Sequence, residues 1–294
     1  MADYEYFTVD VFTRRRFGGN PLAVFPSAQG LDDATMQALA AELNYSETTF
    51  VLPPDDPANA ARVRIFNRTA EMPFAGHPNV GTGFVLARMG RAPGGSLRFE
   101  EAAGLVDVRV IEEEGMVSGA EIDAPQPLGV METFPAADIA ACLSLSSGDI
   151  VSDRHPPVRA STGVDFVLVE LHPKALTAAA PDPGAFGRVA ADRPHLEGRL
   201  SIFLYSLDGE AVRARMFAPL SGTWEDPATG SANATLAALR LQLSAGDTLR
   251  YEAIQGVEMG RESRLSLRAW RSAEGIRASV GGACVGMFRG AISL

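Results

Sequence analysis

The chain has 294 residues, 46% of them hydrophobic and 21% charged, with a formal net charge of −10. That length is a prior of about two domains, and the composition excludes general disorder. The acidic balance disfavours nucleic acid and anionic membranes as partners, and no run approaches the ~18 apolar residues of a membrane helix.

The first third alternates strand and helix signals. A β-rich segment over 5–12 is followed by a short apolar strand at 22–25. Residues 32–43 read as an amphipathic helix, with Asp32 and Asp33 in the first turn and Met36, Leu39, Ala40 and Leu43 at helical spacing. Strands are expected at 48–52, 61–66, 96–99, 105–111 and 119–123, before a proline-containing connector at 124–128. Beyond the connector a helix at 136–143 precedes strands at 165–171, 200–206 and 211–217. Further strands are expected at 248–253, 264–270, 276–280 and 284–288, and the Pro- and Gly-rich stretch 180–187 reads as a surface connection. Many short strands with few helices predict an α+β fold.

Two helical segments, 78–89 and 232–243, carry no ionisable residue before Arg88 and Arg240 respectively. A helix apolar on nearly every face is a buried one, so each is expected at the centre of its own half of the chain, wrapped by a curved sheet. Their approaches align: Glu71-Met72-Pro73-Phe74-Ala75-Gly76-His77-Pro78-Asn79 lies over Glu225-Asp226-Pro227-Ala228-Thr229-Gly230-Ser231-Ala232-Asn233 at an offset of 154. Upstream, Val63-Arg64-Ile65-Phe66 lies over Ala214-Arg215-Met216-Phe217 at an offset of 151. The joint match predicts an internal duplication. The expected halves are 1–124 with 279–294, and 125–278.

A buried helix must still satisfy its first N–H groups, and its dipole adds partial positive charge there. Gly76 and Gly230 leave room for close approach, so the two helix starts are candidate carboxylate sites that need neither Lys nor Arg. Two helix starts on one cleft would suit a small anionic metabolite. Nucleotide motifs fail: Gly76 to Gly83 lacks the phosphate-loop lysine, and Leu86 breaks the glycine pattern that begins at Gly81. Cys142 and Cys284 form no disulfide framework or metal spacing and read as small core residues, so no metal is expected. The start of the chain carries acids where a signal peptide carries bases, which predicts a cytoplasmic protein.

Several segments together resemble the PhzF family of phenazine-biosynthesis-like isomerases. They are Thr8-Val9-Asp10-Val11-Phe12, Gly19-Asn20-Pro21-Leu22-Ala23-Val24 and Asn44-Tyr45-Ser46-Glu47-Thr48-Thr49-Phe50-Val51. The two helix approaches and Val280-Gly281-Gly282-Ala283-Cys284-Val285-Gly286 complete the set. The resemblance implies a diaminopimelate-epimerase-like fold of two similar halves, with the C-terminal strand returning to the first half and the active site between them. It also implies a homodimer, no cofactor, and isomerisation by proton movement within a dihydro-hydroxyanthranilate-like acid. Carried over by motif, Glu47 is the general acid/base, and His77, Asp226 and Ser231 orient the substrate. Gly76 and Gly230 with adjacent amides hold its carboxylate, and Asn79 and Asn233 count with them as substrate-binding.

The related racemases place a cysteine before each helix-start glycine. Here those positions are Ala75 and Thr229, which excludes a thiol pair and disfavours an amino-acid epimerase. A single carboxylate then works on one face, and burial beside the 48–52 strand is expected to raise its pKa towards the working pH. Without the resemblance, Glu47 is a turn glutamate, His77 a helix-capping histidine, Asp226 a turn residue and Ser231 an N-cap. His155, His172 and His195 sit near prolines and read as loop residues. A binding protein that kept the fold without the catalysis is the alternative from another class.

Overall fold

The computed structural model describes residues 2–209 and 211–294. In chain order the elements begin β1 (Asp3–Val11), β2 (Asn20–Phe25), α1 (Asp33–Leu43), β3 (Glu47–Leu52) and β4 (Ala61–Asn67). Next come β5 (Glu71–Met72), α2 (Gly76–Arg88), β6 (Ser96–Glu101), β7 (Gly104–Glu113) and β8 (Met116–Asp123). The chain continues through β9 (Gly129–Thr133), α3 (Ala136–Cys142), β10 (Val158–Ser161), β11 (Asp165–Glu170), α4 (Pro173–Ala178) and α5 (Pro183–Ala191). It ends with β12 (Ile202–Asp208), β13 (Ala211–Phe217), α6 (Gly230–Gln242), β14 (Thr248–Gln255), β15 (Ser263–Ser272) and β16 (Gly275–Ser293). The class is α+β. Among the described residues no helix is long and apolar enough to cross a membrane.

Two compact units divide the chain: Met1–Pro125 with Ser263–Leu265 and Ser279–Leu294, and Gln126–Glu262 with Ser266–Ala278. In unit 1 the strands pair in the order β1, β2, β3, β4, β6, β7, β8, β16, and β16 pairs back with β1, so the sheet closes into a barrel. The sequence pattern predicts a curved sheet, and closure is the added feature. A closed sheet has no exposed edge to manage. Helix α2 sits against β1, β2, β3, β7 and β8, and every residue from Gly76 to Leu86 is buried. Its close fit depends on glycine: a Cβ on Gly81 would lie 2.5 Å from Leu22 Cδ2 and 2.8 Å from Val11 Cγ2. On the outer face of the sheet, α1 covers Phe25, Phe50 and Phe66. Asp32 caps α1 by accepting from Thr35 N, and left-handed Asn44 ends it one turn before Glu47.

Unit 2 repeats this wiring. Antiparallel β10–β11, parallel β11–β12, antiparallel β12–β13 and parallel β13–β14 match antiparallel β1–β2, parallel β2–β3, antiparallel β3–β4 and parallel β4–β6. Helix α6 occupies the place of α2, buried from Gly230 to Leu239. Its outer layer is larger: α3, α4 and α5 cover Val167, Val169, Ile202, Leu204 and Phe217.

Four expectations need correction. The strands read at 276–280 and 284–288 are one strand, β16. Strands β5, β9 and β10 lie in segments to which the sequence pattern assigns no strand. The surface connection at 180–187 contains the start of α5, with Asp182 as N-cap and Pro183 in the first turn. The two buried helices begin at Gly76 and Gly230, two residues earlier than the apolar pattern suggests.

Candidate functional site

Glu47 is the first residue of β3, paired with Leu22 of β2 and Asn67 of β4, so it stands on a fixed sheet position and not on a turn. His77 is the second residue of α2, inside the helix, and therefore no cap. The fold brings the two together: Glu47 Oε2 lies 3.5 Å from His77 Nδ1. Asn20 Nδ2 approaches the same His77 Nδ1 at 3.3 Å, and Ser46 Oγ donates to Asn20 Oδ1 at 3.2 Å. Burial pushes the His77 imidazole down to about 3, against a smaller opposite effect from the Pro21 main chain. The ring is therefore neutral near pH 7. Asn20 and the Glu47 carboxylate both face Nδ1, whereas Nε2 is buried and meets no hydrogen-bond partner among the described residues.

In unit 2 the start of α6 is held by a side-chain network. Thr229 Oγ1 donates to Asp226 Oδ2 at 2.6 Å, and Gln255 Nε2 donates to Asp226 O at 2.8 Å. Gln255 Oε1 accepts from Thr229 N at 3.1 Å and from Asn233 Nδ2 at 2.9 Å. Thr229, not Ser231, occupies the N-cap position, and Ser231 lies one residue inside the helix. Asp226 and Ser231 are both buried.

Asn79 and Asn233 are wholly buried, and each donates its Nδ2 to the main-chain oxygen four residues back, Ala75 O and Thr229 O, both at 3.0 Å. That contact braces the first turn of each helix, and the Oδ1 of each asparagine is buried without a hydrogen-bond partner among the described residues. Gly76 and Gly230 open α2 and α6 as expected.

Each helix start is also tied to its preceding strand by an arginine fork. Arg64 donates Nε and a second nitrogen to the two oxygens of Glu71 at 2.7 and 2.6 Å. Arg215 does the same to Glu225 at 2.8 and 2.9 Å. Both arginines and both glutamates stand in the aligned segments, so the pairing is legible in the repeat; bidentate geometry fixes the loop as well as neutralising it. Asn20, Ser46 and Gln255 carry no such signal, because only strand register brings them to the site.

Among the described residues no three His, Cys, Asp or Glu side chains group as a metal site. Cys142 and Cys284 are buried, and burial pushes both thiols up to about 12. His155, read as a loop residue, is a buried one: its Nε2 lies 2.7 Å from Tyr205 Oη, which donates to Glu170 at 3.2 Å.

Residues 9–290 match the phenazine biosynthesis-like protein family, PhzC-PhzF. The chain belongs to that family. It is 38% identical over 278 residues to an uncharacterized isomerase of Mesorhizobium japonicum, covering 91% of each chain. It is 35% identical over 279 residues to trans-2,3-dihydro-3-hydroxyanthranilate isomerase of Pseudomonas aeruginosa, covering 94% of each. A PhzF-family crystal structure from Bacillus anthracis matches at a TM-score of 0.86 with 22% identity over 100% of both chains, which establishes the shared fold. Glu47, His77, Asp226 and Ser231 all fall inside the PhzC-PhzF match.

Proposed function

We propose that this PhzC-PhzF protein is an isomerase that moves a proton within a small carboxylated substrate, without a cofactor, using Glu47 as its single general acid/base. The observation that carries the reading is the Glu47 carboxylate 3.5 Å from a buried, neutral His77 at the start of α2. A carboxylate so placed takes a proton from one carbon of the substrate and returns it to another, leaving the substrate's composition unchanged. The neutral imidazole does not compete with Glu47 for the migrating proton, and its unpartnered Nε2 is left for a polar group of the substrate.

Relatives named as isomerases support the reaction class, and the named substrate of one of them supports a cyclic acid bearing amino and hydroxyl groups. In this reading the amides beside Gly76 and Gly230 hold the carboxylate, and Asp226 and Ser231 orient the polar groups. Ala75 and Thr229, where a thiol pair would stand, favour one base over two. The protein acts in the proposal as a cytoplasmic homodimer.

Turnover of trans-2,3-dihydro-3-hydroxyanthranilate and related cyclic acids in deuterium oxide tests the mechanism. The expected product retains part of the migrating hydrogen, because one base carries it. Deuterium wash-in with inversion at an α-carbon would overturn the one-base account.

A further inference from the structure

The matched strand registers place Glu101 and Gln255 at the same position of the repeat. Arg62 faces Glu100 across β4 and β6, and Arg213, its counterpart at the offset of 151, faces Ile254 across β13 and β14. The next residue in each case closes its strand: Glu101 in unit 1, Gln255 in unit 2. Gln255 is the centre of the network at the start of α6. Its amide accepts from Thr229 N and Asn233 Nδ2 and donates to Asp226 O. By the helix offset, Asn233 corresponds to Asn79, Thr229 to Ala75 and Asp226 to Met72.

Both oxygens of Glu101 are buried and meet no hydrogen-bond partner among the described residues, as does Asn79 Oδ1. The turn after Glu101 is anchored to the approach of α2, since Ala103 N donates to Pro73 O at 3.0 Å. We propose that the Glu101 side chain clamps the start of α2 as the hydrogen-bonding counterpart of Gln255 at the start of α6. A carboxylic acid and a primary amide each offer one acceptor oxygen and at least one donor. Protonated Glu101 therefore accepts from Asn79 Nδ2 with one oxygen and donates from the other to a main-chain oxygen of the Met72 loop.

Burial supports that protonation state, pushing the Glu101 carboxyl up to about 8 against a smaller opposing effect of Asn79. The charged groups of the surrounding elements have their own partners. Arg64 on β4 is held by Glu71 on β5 and by Asp33, and Arg62 lies 3.8 Å from Asp55. Glu100 on β6 accepts from Asp55 N, Asp56 N and Asn59 Nδ2, and on α2 His77 is neutral. Glu101 is thus a positioning residue for the helix turn that carries His77. Its effect on turnover rests on the proposed proton transfer; the clamp itself does not.

The sign of the pH effect follows from linkage. The folded state keeps the Glu101 proton up to about pH 8 and the unfolded chain loses it near an ordinary carboxylate pKa, so the stability it contributes declines as pH rises between those values. Thermal unfolding of the full chain from pH 5 to 9.5 is the test. Glu101→Gln is expected to match the wild type near pH 5 and to exceed it by a margin that grows to about pH 8 and then levels off. Glu101→Ala is expected to melt lower than Glu101→Gln throughout. Gln255→Glu is expected to acquire the wild-type Glu101 decline in unit 2. A Glu101→Gln margin that is flat with pH, or a Gln variant no better than Ala, overturns the clamp. If Glu101→Ala does not fold, the carboxyl carbon resonance of Glu101 in the wild type decides: titration well above the ordinary range supports the clamp, and an ordinary midpoint overturns it. These readouts need no substrate, so an inactive wild type would sink the isomerase reading and leave the clamp to be judged separately.

Discussion

The two helix starts share a frame and differ in their chemistry. Both have a Gly opening a buried helix, an Asn bracing its first turn and an Arg–Glu fork holding its approach. On that frame unit 1 places Glu47 and His77. Register puts Thr48 opposite Phe66 and Ile202 opposite Phe217, so Ser201 stands where unit 1 has Glu47; Ser231 stands where it has His77. Unit 2 instead carries Asp226, where unit 1 has Met72. A duplicated scaffold has kept its mechanical parts twice and divided its ionisable parts. In the proposed mechanism, proton transfer would rest on Glu47 of unit 1, because Ser201 stands at the equivalent position of unit 2.

The strongest way to break that asymmetry is at the proposed acid/base. Glu47→Gln is expected to lower kcat by ~10²–10⁴, the range for a positioned general acid/base, with an unchanged melting temperature. Retained turnover would place the base elsewhere, and the mirror change Ser201→Ala should leave far more activity than Glu47→Gln.

The shared forks give the next largest effect, and they should differ. Arg215 and Glu225 are 8% and 10% exposed, and Arg215 also donates to Leu176 O and Ala179 O beside α4. Removing Arg215 strands a buried carboxylate, which costs about 3–5 kcal/mol. Glu71 is 39% exposed, and the second partner of Arg64 is Asp33 at 82%. Water therefore screens Arg64→Met, and its loss is expected near 1 kcal/mol. Urea denaturation of the two Met variants measures the gap; equal losses would mean that the forks are buried alike.

Much of this frame is legible in the residues alone. Uncharged helical segments mark α2 and α6, and aligned Glu, Pro, Gly and Asn mark their approaches. The shift in offset from 151 to 154 corresponds to the longer unit 2 connection, which contains the helical turn Pro219–Ser221. What escapes depends on long-range neighbours. Gly281 and Gly282 look like a strand break, yet a Cβ on Gly282 would lie 2.7 Å from Phe12 Cδ1, so glycine lets another segment approach an unbroken β16. Glu101 and Gln255 share no residue type and no local motif, and their equivalence exists only through strand pairing. Glu47 reads as a turn because nothing local says that left-handed Asn44 releases the chain directly into β3.

The histidine that distinguishes unit 1 should also leave a pH signature. Folded His77 stays neutral down to about pH 3, whereas an unfolded histidine binds its proton near 6.5. The unfolded state therefore binds more protons in that window, and stability falls as pH drops from about 6.5 towards 3. His77→Gln is expected to flatten this acid limb of the stability curve, while Ser231→Ala should leave it intact. An unchanged limb in His77→Gln would assign the effect to other groups.

A further contrast lies one turn into each helix, where the two units solve one packing problem differently. Gly81 faces Val11 in unit 1, and its counterpart Thr235 faces Thr162 in unit 2. Thr235 donates to Ser231 O at 2.9 Å, so the Thr162 hydroxyl, 2.9 Å away, is left to donate to Thr235. Adding a methyl to Gly81 forces the Val11 and Leu22 side chains apart, and Gly81→Ala should cost about 1–3 kcal/mol. Thr235→Val leaves the buried Thr162 hydroxyl without its acceptor, at about 1–3 kcal/mol. Adding Thr162→Val removes both polar partners at nearly constant shape, and the double variant should recover to within about 1 kcal/mol of the wild type. That recovery, measured as a double-mutant cycle, would show that unit 2 accepts the apolar contact unit 1 already uses. Additive losses would instead mean that the hydroxyl pair holds α6 through the Ser231 carbonyl, giving the unit 2 helix start a polar brace that unit 1 lacks.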